Sequence, residues 1–193
     1  QFYDQAKNCW DNTEESCIPF YQKMLASAKK NKECIPCAEI ELVLGFYNEF
    51  ESDSSIVHAQ NVLKEAKNKK GKLRLELEQD AYQLLAGSYI LKGDNQKAIV
   101  YLLESGKRVD KLGNKIQIAS LKGNLGTLYN NIGNYKKGIQ YQKAAVIDLK
   151  AAGDKKRIAI FASNIAGAYI DSNNPDSAKV WGKRTIKMAM ANK

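Results

Sequence analysis

From Leu121 to Tyr141 the chain reads LKGNLGTLYNNIGNYKKGIQY, with large apolar, small and polar residues placed at helical spacing. Leu125, Gly126 and Tyr129 lie at i, i+1 and i+4, one face of an α-helix. Gly133-Asn134 follows as a turn, and a second helix then carries Gly138 and Tyr141. The pattern returns further on, as FASNIAGAYIDSNNPDSAKVW from Phe161 to Trp181, and it precedes this stretch as AYQLLAGSYILKGDNQKAIVY from Ala81 to Tyr101. Leu85, Leu125 and Ile165 align, as do Ala86, Gly126 and Ala166, then Tyr89, Tyr129 and Tyr169. Ala98, Gly138 and Ala178 follow, and then Tyr101, Tyr141 and Trp181. The spacing is the same in both directions. A fixed period of this length predicts stacked helix hairpins, each burying its apolar face only against its neighbours.

The residue types explain the spacing. A small residue at Gly126 and another at Gly138 let the two helices of a hairpin cross closely, and Tyr129 fills the remaining gap with a hydroxyl that can hydrogen-bond. Gly133 suits the left-handed geometry that ends a helix, and Asn134 suits the cap of the next. In the last unit Asn173-Asn174-Pro175-Asp176 takes that place, with Pro in a first helical turn.

This order of residues resembles the tetratricopeptide repeat family, closely over 73–193 and more loosely over 36–70. The resemblance implies an all-α fold, a right-handed superhelical solenoid of antiparallel helix hairpins. Its units fall at about 36–70, 73–112, 113–152 and 153–193, behind an N-terminal helical cap over 1–35. It further implies noncovalent binding of a protein or extended peptide in the concave groove lined by first helices. Gly113-Asn114-Lys115 and Gly153-Asp154-Lys155 also make the array similar to extracytoplasmic repeat regions of bacterial sensor-regulators.

Helical spacing along first helices assigns the groove to Asp80, Gln83 and Gly87 in the second unit, and to Ser120, Gly123, Asn124, Thr127 and Asn131 in the third. In the fourth it assigns Ser163, Asn164, Gly167 and Asp171. Asn124 and Asn164 recur one period apart, and Leu84 breaks the series. An amide matches both backbone groups of an extended peptide, and it can equally tie neighbouring helices together. The family's chaperone-binding members clamp a carboxylate with Lys and Arg beside Asn. Here the matching places hold Gln83, Gly87, Ile160 and Asn164, so only Asn124 fits and such a clamp is not expected.

The charge is uneven. Residues 115–193 hold 14 Lys and Arg against four Asp and no Glu, a net +10 within a total of +9. Lys136, Lys137, Lys143 and Lys150 fall on second helices, and only four of the 30 basic residues are Arg. Phosphate and base recognition favour Arg forks, so this face reads as solvated rather than as a nucleic-acid surface.

All four cysteines, Cys9, Cys17, Cys34 and Cys37, lie in the first 37 residues. An even, clustered set points to disulfides in the cap and hence to a periplasmic or secreted setting, in keeping with a first residue that is not Met. Cys9–Cys17 with Cys34–Cys37 is the favoured pairing. Zinc would want two short-spaced pairs, and only Cys34/Cys37 qualifies. Cys34-Ile-Pro-Cys37 also has the form of a redox dithiol at a helix start, the rival reading of function, though without the strand-helix-strand setting of that chemistry. His58 is the one histidine, and no Ser/His/Asp set, phosphate loop or His-rich metal motif occurs. The expectation is a binding scaffold that is not an enzyme and has no cofactor and no bound metal. Val180, Trp181, Ile186 and Met190 leave the last helix an apolar face for a further element or for self-association.

Overall fold

The computed structural model describes residues 52–190, together with Pro19, Gln22, Lys23, Leu25, Ala26, Lys30 and Glu41. Most of the cap over 1–35 and all four cysteines, Cys9, Cys17, Cys34 and Cys37, lie outside the described residues, as does most of the first helix of the unit at 36–70. Between 52 and 190 the described chain is helix throughout, apart from short joints: α1 (Ser52–Ala66), α2 (Gly71–Leu91), α3 (Asn95–Leu112), α4 (Lys115–Asn131), α5 (Tyr135–Ala152), α6 (Lys155–Asp171) and α7 (Pro175–Met190). Two compact units divide at Asp94/Asn95.

In the first unit α1 packs on α2 through Val62, Ala66, Leu77 and Ala81, with Leu63 against them. Ser52–Ser55, whose Ser and Asp residues would equally suit a turn, are helical, and Asp53 sits in the first turn. Ser and Asp favour turns and helix starts for one reason, a side chain that hydrogen-bonds nearby backbone, so composition alone could not separate the two. Buried Glu41 takes a hydrogen bond from Asn61 Nδ2 at 3.1 Å and pairs with His58 Nδ1 at 2.6 Å, which gives the single histidine a structural place.

In the second unit α4 packs along α5, α5 on α6 and α6 on α7, while α3 packs on α4. Ala119, Ile139, Val146, Leu149, Ile158, Phe161 and Ile165 form its main core, with Tyr135, Tyr169, Trp181 and Met188 packed around it. The joints fall twice in every sequence repeat, at even spacing. Gly93, Gly113, Gly133 and Gly153 have φ between 71° and 79°, and Asn173 takes the same role at 57°. The next residue caps the following helix: Asn114, Asn134, Asp154 and Asn174 accept from the backbone N–H groups of Gln117, Lys137, Arg157 and Ser177 at 3.0–3.3 Å. At three of these joints the capping residue's own N–H also reaches back to Tyr129, Leu149 or Tyr169 O, closing the left-handed helix end.

The hairpin of α4 and α5 crosses glycine on glycine. A Cβ on Gly126 would lie 2.7 Å from the Gly138 carbonyl oxygen, and one on Gly138 would lie 2.7 Å from that of Gly126. Tyr129 is buried beside this crossing and stacks on Tyr141, ring centroids 5.5 Å apart and nearly parallel. That is the close approach the repeat spacing called for.

Candidate functional site

On α4 and α6 the residues assigned to the groove divide into two groups. Asn124, Asn131, Ser163 and Asp171 are exposed, and nothing would lie within 4 Å of a Cβ on half-buried Gly167. These side chains present polar groups to solvent with bare backbone beside them, the surface an extended chain can approach.

Thr127 and Asn164 belong to a different arrangement. Gln142 Nε2 donates to Thr127 Oγ1 at 3.2 Å, Asn164 Nδ2 donates to the same oxygen at 3.3 Å, and the Thr127 hydroxyl donates to Gly123 O. One donor and two acceptor sites exhaust what a hydroxyl offers. Asn130 Nδ2 adds a bond to Gln142 Oε1 at 3.2 Å, so four side chains tie α4, α5 and α6 together. Asn164 therefore fastens neighbouring helices, whereas Asn124 stays open to solvent. The two asparagines share a sequence position but not a role.

Gly123 is corrected outright. It is buried, and a Cβ there would fall inside the Phe161 ring, so it seats the next unit's aromatic and does not line a groove. Ser120 is half-buried, with an Oγ that has no hydrogen-bond partner among the described residues. In the first unit Gln83 is half-buried and Gly87 is open, with nothing near a Cβ. Asp80 beside them is held above the usual carboxylate range, chiefly by burial; Glu76 adds to this and the hydrogen bond from Gln79 opposes it.

Sequence reading missed Gln142. It is fully buried, at a position where the neighbouring repeats carry Leu102 and Gly182. A lone amide between Ile139 and Val146 on an apolar face was the available signal. Among the described residues no cluster of His, Cys, Asp and Glu could hold a metal, and no helix is long and apolar enough to cross a membrane.

Residues 119–146, which carry the α4–α5 joint and its glycine crossing, match the sequence profile of the tetratricopeptide repeat. This is a tetratricopeptide-repeat fold. The chain superposes on the apo form of RapI with a TM-score of 0.86 at 15% identity, covering 99% of this chain and 70% of that one. It superposes on the TPR-like repeats of a Podospora anserina kinesin light chain at 0.75 and 14% identity, covering 100% of this chain and 95% of that one. A Rap protein solved with Competence and Sporulation Factor gives 0.71 at 17% identity, covering 98% of this chain and 53% of that one. No curated protein sequence matches. Such likeness places the chain in the all-α class of tetratricopeptide-repeat helical solenoids, as a repeat scaffold.

Proposed function

We propose that this repeat scaffold works by noncovalent binding of a protein or extended peptide along the first-helix face, on α4 and α6 in the second unit. The observation that carries the reading is the exposed amide of Asn124, close in the chain to exposed Asn131 and matched on α6 by Ser163 and open Gly167. An amide supplies one acceptor and two donors, which suits the alternating groups of an extended backbone. The Rap protein bound to its factor supports the reading by analogy of fold. Asn131 and Asp171 extend the same strip toward the helix C-termini, and on α2 Gln83 and Gly87 hold the repeat positions of Ser163 and Gly167. Thr127 and Asn164 shape the strip from below.

The test is selection of a displayed peptide library on the immobilised chain, followed by fluorescence anisotropy of the selected peptides. Asn124→Ala should weaken binding by about tenfold, a loss in the range for a truncated interface hydrogen bond. Unchanged affinity in that variant would contradict the reading.

The extracytoplasmic setting is a proposal resting on the clustered cysteines. Thiol titration and non-reducing peptide mapping of the native protein should find no free thiol and the pairs Cys9–Cys17 and Cys34–Cys37. Four free thiols would refute both pairing and compartment.

A further inference from the structure

The opposite face of the second unit carries cations that are not all simply solvated. Lys143, on α5, is half-buried and donates to Tyr169 Oη at 2.8 Å. Its ammonium stands 5.3 Å from the Tyr169 ring centroid and 5.8 Å from that of Trp181, and Arg184 covers Trp181 at 5.0 Å. Ring faces attract a cation but carry no net charge, so they hold the ammonium in place without neutralising it.

Some basic side chains of this unit have carboxylates: Lys122 pairs with Asp148 at 2.7 Å, Arg108 with Glu104 at 2.6 Å, and Arg157 with Asp154. Lys143, Arg184 and exposed Lys136 pair with no carboxylate among the described residues. Two adjoining clefts, of about 480 and 320 Å³, share Lys143 and Tyr169. The first also has Lys136 and Ile139 in its walls, and the second has Val180, Arg184 and a single acid, Asp176.

We propose that this trough, running over α5, the end of α6 and α7, docks an acidic protein segment. Its carboxylates would meet Lys136, Lys143 and Arg184, and an apolar side chain would rest on Ile139 or Val180. Charge complementarity selects the occupant: three unpaired cations stand in a region of net +10, with apolar walls between them. Nucleic acid fits less well, because two of the three cations are Lys, point charges that lack the Arg fork. A membrane surface fits less well, because half-buried Lys143 lies where two clefts meet and a flat layer of headgroups does not reach in.

The experiment uses the full chain and a fluorescein-labelled peptide of about a dozen residues alternating Glu and Leu, followed by anisotropy. Thymidine oligonucleotides and phosphatidylcholine vesicles containing phosphatidylserine serve as competitors. Binding that weakens with added salt is expected. Lys143→Met should weaken it by about tenfold, and so should Lys136→Glu with Arg184→Glu, whose exposed sites make unfolding no explanation. Asn124→Ala should leave it unchanged, which keeps this face distinct from the first-helix strip. The proposal is overturned if the double variant binds like the parent, or if the peptide fails to bind at millimolar concentration. It is also overturned if the oligonucleotide or the vesicles bind more tightly and lose that binding in the same variants.

Discussion

The hairpins of α4–α5 and α6–α7 share one repeat pattern and are fastened in different ways. The first crosses Gly126 on Gly138, buries Gln142 completely and stacks Tyr129 on Tyr141. The second has Ala166 and Ala178 at the crossing, Gly182 at the place of Gln142, and open space beside Gly182. Its aromatic pair, Tyr169 and Trp181, faces cations across a shallow trough. The difference teaches that equivalent positions keep the places where helices meet, while the chemistry of the meeting is settled by the neighbours each helix has. An interior hairpin covered by α3 on one side and α6 on the other can bury an amide network; the α6–α7 hairpin leaves its rings and charges in reach of solvent.

That contrast breaks most sharply at Gly126. Gly126→Leu should overpack the crossing and cost about 3 kcal/mol, the upper end for an inserted side chain, because a Cβ there runs into the buried Gln142 side chain and meets, at 2.7 Å, the Gly138 carbonyl oxygen, which cannot swing away. A thermal melt at the parent temperature would sink the crossing. Next comes Gln142→Leu, which copies the residue of the preceding repeat but strands the Asn130 amide and loses the Thr127 bond. It should cost about 1–3 kcal/mol in denaturant unfolding. Gly182→Ala should go the other way, stabilising by about 0.5–1 kcal/mol, since a helical glycine with open space beside it gains from a methyl group. Destabilisation there would mean that the two hairpins are packed alike after all.

The smallest effect compares caps. Asp154 is held below the usual carboxylate range, first by accepting the Arg157 backbone N–H and further by the Arg157 side chain, with burial opposing. Its folded value being depressed, it contributes stability that is present at neutral pH and is lost as pH falls below about 4. Asn134 caps the preceding helix without titrating. Asp154→Asn, which keeps a capping acceptor but not the charge, should therefore melt slightly below the parent at neutral pH and lose less stability on acidification. Parallel acid curves for the two proteins would contradict the assignment.

The hairpin register was legible because it rests on backbone demands. Helix ends that turn left-handed need Gly or Asn, and a crossing at carbonyl distance needs glycine on both sides. The site was legible only in part. Spacing of i, i+3 and i+4 puts Gly123 and Asn124 on the same broad face, and only the seating of Phe161 on Gly123 tells them apart. Asn164 looked equivalent to Asn124, yet its neighbour Thr127 takes up its amide N–H. The even recurrence of the joints was hidden because core positions return once per hairpin, whereas the Gly/Asn-Asx pairs return once per helix.

The first-helix strip on α4 and α6 is proposed to receive an extended peptide. Backbone amide shifts of the isotope-labelled chain, followed during titration with a library-selected peptide, test it most directly. The largest changes are expected at Asn124, Ser163 and Gly167, with little change around Lys143. Changes gathered at Lys143, Trp181 and Arg184, with Asn124 and Gly167 unmoved, would contradict it.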